Sequence, residues 1–144
     1  MERCVFCGIV AGQEPASFVY QDETVAVFLS HQPVTRGHAL VIPRGHATHL
    51  ADMDEETGAH LFRIGMRVAA AIRRSTVRAD GIRLSLSDGR AAGQVVMHVH
   101  LHVIPRYAGD GAWAGAMEGP RRAGRAELDA TAEEIARAYR ELYR

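Results

Sequence analysis

Three histidines occupy alternate positions of His98-Val99-His100-Leu101-His102, the residue type and spacing in this chain best suited to chemistry. Successive side chains of a strand point to opposite faces. An extended run would therefore put the three imidazoles on one face and Val99, Leu101 and Val103 on the other. With a rise of about 3.3 Å per residue, neighbouring rings would lie roughly 7 Å apart. A neutral imidazole is a competent nucleophile toward phosphorus when one nitrogen is free and the other donates to a carbonyl. Flanking rings could donate to phosphate oxygens and protonate a leaving group. The middle residue, His100, is the geometric choice for nucleophile.

Two other readings compete. A solvent-facing polar row would place three imidazoles where they repel when charged, and a surface would more readily use Lys, Glu or Thr. A three-histidine metal site fits poorly on alternate positions of one strand, because metal–nitrogen bonds are only about 2 Å long. A phosphate matches the spacing better. Elsewhere, Cys4 and Cys7 form a C-x-x-C pair, which suits a redox couple, two small buried residues or half of a metal site. No thioredoxin-like βαβ pattern surrounds it, and a metal would need two further ligands.

The elements that must position these groups follow from periodicity. Cys4 to Gly12 is short and apolar, one or two helical turns. Ser17-Phe18-Val19-Tyr20 and Val25-Ala26-Val27-Phe28-Leu29 read as strands, and His38 to Ile42 is a third, closed by Pro43. Asp52 and Glu55 have capping-box spacing, ahead of an apolar helical stripe of Leu61, Ile64, Val68 and Ile72. Gly65 in that helix would allow close packing against a sheet. Ile82 to Ser87 and Val95 to Ile104 are two more strands, separated by the glycine-bearing loop Asp88 to Gly93. Thr131 and Glu134 form a second capping-box pair, for a final helix burying Ile135, Ala138, Tyr139 and Leu142. Strands in both halves with one long central helix and one C-terminal helix favour an α+β fold with a mainly antiparallel sheet.

The bulk numbers narrow the function classes. A chain of 144 residues without a linker reads as a single domain over 1–144. Lys plus Arg equals Asp plus Glu at 17 each, so no basic field draws it to a nucleic acid polymer or an anionic membrane. Met1-Glu2-Arg3-Cys4 lacks a signal-peptide run and no stretch is long enough to span a bilayer, so the expectation is a cytoplasmic protein.

His98-Val99-His100-Leu101-His102-Val103-Ile104 resembles the signature of the histidine triad superfamily of nucleotide hydrolases and transferases. The resemblance extends over Cys4 to Gly12, Phe28-Leu29, Gly37 to Pro43 and Asp88 to Gln94, and runs from about Cys4 to Asp110. Residues 111–144 would be a C-terminal extension and helix. It implies a five-stranded antiparallel sheet, a homodimer, and attack on an α-phosphorus of a purine nucleotide through a nucleotidyl-histidine intermediate. It implies His100 as nucleophile, His102 at the phosphate and leaving group, His38 beside the nucleophile and Gln94 at the phosphates. It further implies a base-facing wall of Phe6, Ile9 and Phe28. Bacterial members resembling this chain hold zinc, and the matching ligands are Cys4, Cys7, His46 and His98, with His49 competing for the third place. That zinc would be structural, and no organic cofactor is implied.

Uridylyltransferases of the superfamily carry Gln at the third triad position, so His102 favours the hydrolase side. The chain departs from the pattern at two places. Ser30 stands where members often have an Asp or Asn resembling a ribose anchor, and Ser87 where they usually have Asn or Gln. His31 is a neighbouring donor to Ser30. The substrates implied are nucleoside phosphoramidates or dinucleoside polyphosphates. A phosphorylase or nucleotidyltransferase, and a non-catalytic nucleotide-binding or scaffolding protein, remain the competing readings. Trp113 among glycines suits a surface loop, or a dimer or substrate contact; His60 suits a helix surface, and Arg73, Arg74 and Arg78 a solvated face.

Overall fold

A computed structural model describes residues 3–144; Met1 and Glu2 lie outside the described residues. The elements run α1 (Val5–Val10), β1 (Phe18–Gln21), β2 (Val25–Leu29), β3 (Ala39–Pro43), α2 (Glu55–Arg74), β4 (Gly81–Leu86), β5 (Leu101–Arg106) and α3 (Arg125–Leu142). The strands form one five-stranded sheet in the order β1-β2-β3-β5-β4, with every neighbouring pair antiparallel. This is the expected α+β architecture. Among the described residues no helix is long and apolar enough to cross a membrane.

Strand alternation divides the sheet into two faces. Val25, Val27, Leu29, Ala39, Val41, Leu101 and Val103 point toward α2 and α3, where Leu61, Ile64, Val68 and Ile72 meet them as the helical stripe requires. Gly65 lets α2 come close to β5, since a Cβ there would lie 2.6 Å from Leu101 Cδ2. On α3, Ile135, Ala138 and Tyr139 are buried but Leu142 is exposed, because the helix runs past the edge of the core. Ala26, Phe28, Leu40 and Ile42 face the other way, against Phe6 and Ile9 of α1.

Four local expectations shift. The strand expected over Val95 to Ile104 begins only at Leu101 and runs on to Arg106, so His98 and His100 lie in irregular backbone before it. That segment is held instead by Val99 N donating to Ala47 O at 2.8 Å. Pro105 sits inside β5 because pairing with β3 ends at Val103, leaving that stretch bonded on one side only. The cap of α2 is Asp54, whose Oδ1 accepts from Thr57 N at 2.7 Å, while Asp52 closes the preceding 3-10 turn by accepting from His49 N at 3.0 Å. Finally, α3 begins at Arg125 after Gly124, so Thr131 and Glu134 lie mid-helix. There they receive Arg36: its Nε donates to Thr131 Oγ1 at 3.2 Å and its Nη2 to Glu134 Oε2 at 2.9 Å.

Candidate active site and metal centre

The histidines are wired so that each ring's partner dictates which nitrogen carries the proton. Val34 N donates to His38 Nδ1 at 3.0 Å, which leaves the proton of His38 on Nε2. That nitrogen lies 2.9 Å from His102 Nδ1 and donates to it, so the proton of His102 also sits on Nε2. His100 runs the opposite way: its Nδ1 donates to His98 O at 2.8 Å and its Nε2 keeps a free lone pair. His98 Nε2 donates to Pro43 O at 2.8 Å, turning the Nδ1 lone pair toward the two cysteines.

His38 therefore touches His102, not His100 as expected; β3 and β5 pair Leu40 with His102, which brings the preceding His38 beside it. The rings of His100 and His102 lie 4.9 Å apart, closer than an ideal strand gives, because His100 precedes the strand. Phe6 packs edge-on against both His98 and His100, at 5.8 and 5.3 Å between centroids. Burial is the largest cause holding all four imidazoles below their usual range, reaching about 3 for His38 and about 4 for His102. These rings are neutral at pH 7, as nucleophilic chemistry requires.

A cavity of about 360 Å³ opens over this face. Phe6, Ile9 and Phe28 form its apolar wall, and Ser30, Ser87, His100 and His102 also line it. The register runs Phe28, Leu40, His102, Ser85 straight across β2, β3, β5 and β4. At about 4.8 Å per strand, His102 sits roughly 10 Å from Phe28, so the cavity has an apolar end and an imidazole end.

A second cluster adjoins it. Cys4 Sγ and Cys7 Sγ lie 3.3 and 3.6 Å from His98 Nδ1, and Cys7 Sγ lies 3.3 Å from His46 Nδ1. All four donor atoms fall within 4.8 Å of one another. Two thiols and two imidazoles at this spacing match the donors of a tetrahedral zinc site. The thiols are free, and burial followed by the neighbouring Cys4 thiol pushes Cys7 up to about 11. His49 is not in the cluster; its Nδ1 lies 3.3 Å from Asp88 Oδ1.

The HIT domain family profile matches residues 11–109. The chain belongs to the HIT family. An uncharacterised HIT-like protein of Mycobacterium tuberculosis is 47% identical over 107 residues, covering 74% of each chain. A zinc-bound histidine triad family protein from Mycobacterium smegmatis has a TM-score of 0.83 at 40% identity, covering 96% of this chain and 94% of that one. An adenylylsulfatase of Arabidopsis thaliana is 35% identical over 111 residues, covering 77% of this chain and 56% of its own length.

In this HIT protein Gln94 is buried away from the cavity. Its amide nitrogen donates to Thr48 O at 2.8 Å and Val96 O at 3.1 Å, and its Oε1 accepts from Gly89 N at 2.7 Å. It clamps the loop before the triad, and a phosphate contact would require those bonds to break. Trp113 is 73% exposed and outside the cavity. His60 is more than a surface residue: its Nε2 lies 2.7 Å from Asp22 Oδ2, which also accepts from Tyr20. Sequence reasoning missed Met117, Glu118, Arg122 and Arg125, which line the cavity from the C-terminal extension. Only the presence of charge in a segment without a structural role could have flagged them.

Proposed function

We propose that this HIT protein is a nucleotide hydrolase that cleaves at an α-phosphorus through a nucleotidyl-histidine intermediate on His100. The observation that carries the reading is the pair of opposed tautomers: a free lone pair on His100 Nε2 beside a donor on His102 Nε2. Nucleoside phosphoramidates and dinucleoside polyphosphates both offer such a phosphorus. The name of the Arabidopsis relative supports an adenylyl group as the moiety transferred.

In the first step His100 Nε2 forms a bond to phosphorus as the bond to the leaving group breaks. The nucleotide's negative charge favours the protonated form of His102 in the complex. The proton taken up on Nδ1 opens the bond from His38 Nε2–H that holds the resting ring, and the Nε2 proton passes to the departing amine or phosphate. In the second step water attacks phosphorus, gives a proton to His102, and the N–P bond breaks to restore neutral His100. His38 is a positioning residue: its Nε2–H fixes the ring and tautomer of His102. Ser30 and Ser87 offer hydroxyls from either flank of the cavity, and Phe6, Ile9 and Phe28 offer stacking and apolar contact to a base.

The fit of Cys4, Cys7, His46 and His98 supports zinc as a structural ion, as does the zinc in the mycobacterial neighbour. When bound, zinc would supply a cross-link from Cys4 and Cys7 at α1 to His46 and to His98 in the segment entering β5. His98 is then committed and takes no part in proton transfer. Metal analysis should find about one zinc per chain, and Cys4→Ser should abolish it; metal-free protein with both thiols reactive would refute the site.

A homodimer is supported by the opposite edge of the sheet. β4 is an edge strand and half-buried along its length. Beside it Phe62 and Met66 of α2 are 53% and 59% exposed. Such apolar surface next to an open edge suits a second copy related by a two-fold axis.

The test is hydrolysis of adenosine 5′-phosphoramidate by wild type and His100→Asn, with and without inorganic phosphate. Turnover that survives in the variant would exclude His100 as nucleophile, and strict dependence on phosphate would make the protein a phosphorylase.

A further inference from the structure

Three formally charged side chains line the cavity, and all come from the segment ahead of and entering α3: Glu118, Arg122 and Arg125. That segment is tied down beside Ser30. Gly119 N donates to Gln32 O at 2.9 Å, Gln32 Nε2 donates to Gly119 O at 2.8 Å, and Ala123 N donates to His31 O at 2.9 Å. Arg122 is thus held between fixed points, and Arg125 Nη1 is further fixed by donating to Ser17 Oγ at 2.8 Å. Among the described residues no carboxylate lies within ion-pairing distance of either guanidinium.

The geometry of the cavity says which part of a nucleotide meets them. With phosphorus at His100 and His102 and the base over Phe6 and Phe28, the sugar lies between, over Leu40. Its hydroxyl edge must face one of two flanks. The flank of Ser87, Gly93, Val95 and Val96 carries no charged side chain into the cavity. The other offers the Ser30 hydroxyl, the two arginines and Glu118, a net excess of one positive charge. In nucleotide sites generally, a carboxylate accepts from a free ribose hydroxyl, whereas an arginine accommodates a phosphate on it.

Resting on the nucleotide reading above, we infer that Arg122 and Arg125 select nucleotides bearing a second phosphate on the ribose 2′ or 3′ oxygen. A phosphate monoester presents acceptor oxygens that a planar guanidinium meets two at a time. Glu118 opposes this selection and favours a free diol, so relative affinity decides between the two substrate types.

The experiment is calorimetric binding of 5′-AMP, adenosine 2′,5′-bisphosphate and adenosine 3′,5′-bisphosphate to the zinc-loaded protein at low salt. One bisphosphate should bind about five- to tenfold tighter than 5′-AMP, the range expected for a charge-assisted contact at a part-exposed site. That ratio should fall toward one in Arg122→Gln and at high ionic strength. Arg125→Gln should lower it too, but it also cuts the Ser17 tether, so exposed Arg122 is the decisive position. Bisphosphates that bind no better than 5′-AMP, or a preference that survives Arg122→Gln, would overturn the inference. A protein that hydrolyses adenosine 5′-phosphoramidate through His100 yet lacks the preference overturns this inference alone. Binding of none of the three nucleotides overturns this inference, and the nucleotide reading falls with it only where adenosine 5′-phosphoramidate is not hydrolysed either.

Discussion

The two faces of the sheet are made from the same strands and end in opposite conditions. Toward α2 and α3 the inward residues of β2, β3 and β5 are aliphatic or small, and two helices of 20 and 18 residues cover that face of the three strands. Toward α1 the cover is a six-residue helix, so Phe28, Leu40 and His102 look into a cavity. The polar groups that remain there are satisfied by one another: His38 by Val34 and His102, His100 by the His98 carbonyl, His98 by Pro43. The difference teaches that the filled face carries the stability and the half-covered face can hold buried neutral imidazoles in fixed tautomers. Substitutions on the two faces should therefore separate rate from stability.

The largest effect belongs to the open face. His100→Asn keeps a polar group near the His98 carbonyl but removes the nucleophile, and kcat should fall at least about a thousandfold with the fold retained by circular dichroism. The mirror experiment is Ile72→Ala on α2, fully buried under the filled face. A cavity there should lower unfolding free energy by about 2–5 kcal/mol, read from denaturant titration, while kcat at low temperature changes little. If Ile72→Ala cut kcat as deeply as His100→Asn, the faces would not be independent.

How much of this division can be read in the chain follows from the same alternation. Period-two spacing placed His102 opposite Leu101 and Val103, whereas residue type left Cys4 and Cys7 open between a redox couple, small buried residues and half a metal site, and only the family resemblance pointed to ligands. Helical spacing gave Leu61, Ile64, Val68 and Ile72 as one buried stripe. What spacing could not give was where pairing begins. β5 starts at Leu101 because its pairing with Val41 of β3 and Leu86 of β4 starts there, a fact about those partners and not about residues 95–100. The caps failed for a related reason: Asp52 and Asp54 both precede the helix, and only three-dimensional placement decides which meets Thr57 N. Arg122 and Arg125 reach the cavity through bonds to Gln32, His31 and Ser17, partners some 87 to 108 positions away that no local period reports.

Acid should discriminate between the faces more gently. His38 titrates near 6.5 when unfolded but is pushed down to about 3, and His102 to about 4, chiefly by burial and then by neighbouring imidazole charge. Above pH 6.5 both are neutral in either state and their contribution to stability is fully present. As pH falls below 6.5, the unfolded chain takes up protons that the folded chain does not, so stability declines. For each group the slope is about 1.4 kcal/mol per pH unit, ending near pH 4 for His102 and near pH 3 for His38. Denaturant midpoints of wild type and His38→Gln from pH 7.5 to 4.5 should diverge in slope, the variant being flatter. Parallel curves would locate the acid sensitivity away from the imidazole face.

The smallest effect tests how the filled face is closed at its end. Asp54 caps α2 by accepting from Thr57 N, and hydrogen bonding to that residue holds its carboxyl below the usual carboxylate range. Loss of a helix N-cap costs about 1 kcal/mol, so Asp54→Ala should lower the unfolding free energy by that amount and leave kcat/KM unchanged, because α2 touches the sheet on the side away from the cavity. Asp52→Ala removes the bond to His49 N that closes a single 3-10 turn and should cost less. The ranking of these two variants matters more than either value. A larger loss at Asp52 would restore the cap at the earlier residue and move the start of α2 toward His49, whose ring pairs with Asp88 in the loop ahead of the triad. The filled face would then be coupled to the open one through that contact, and the separation of rate from stability would fail at this end of the helix first.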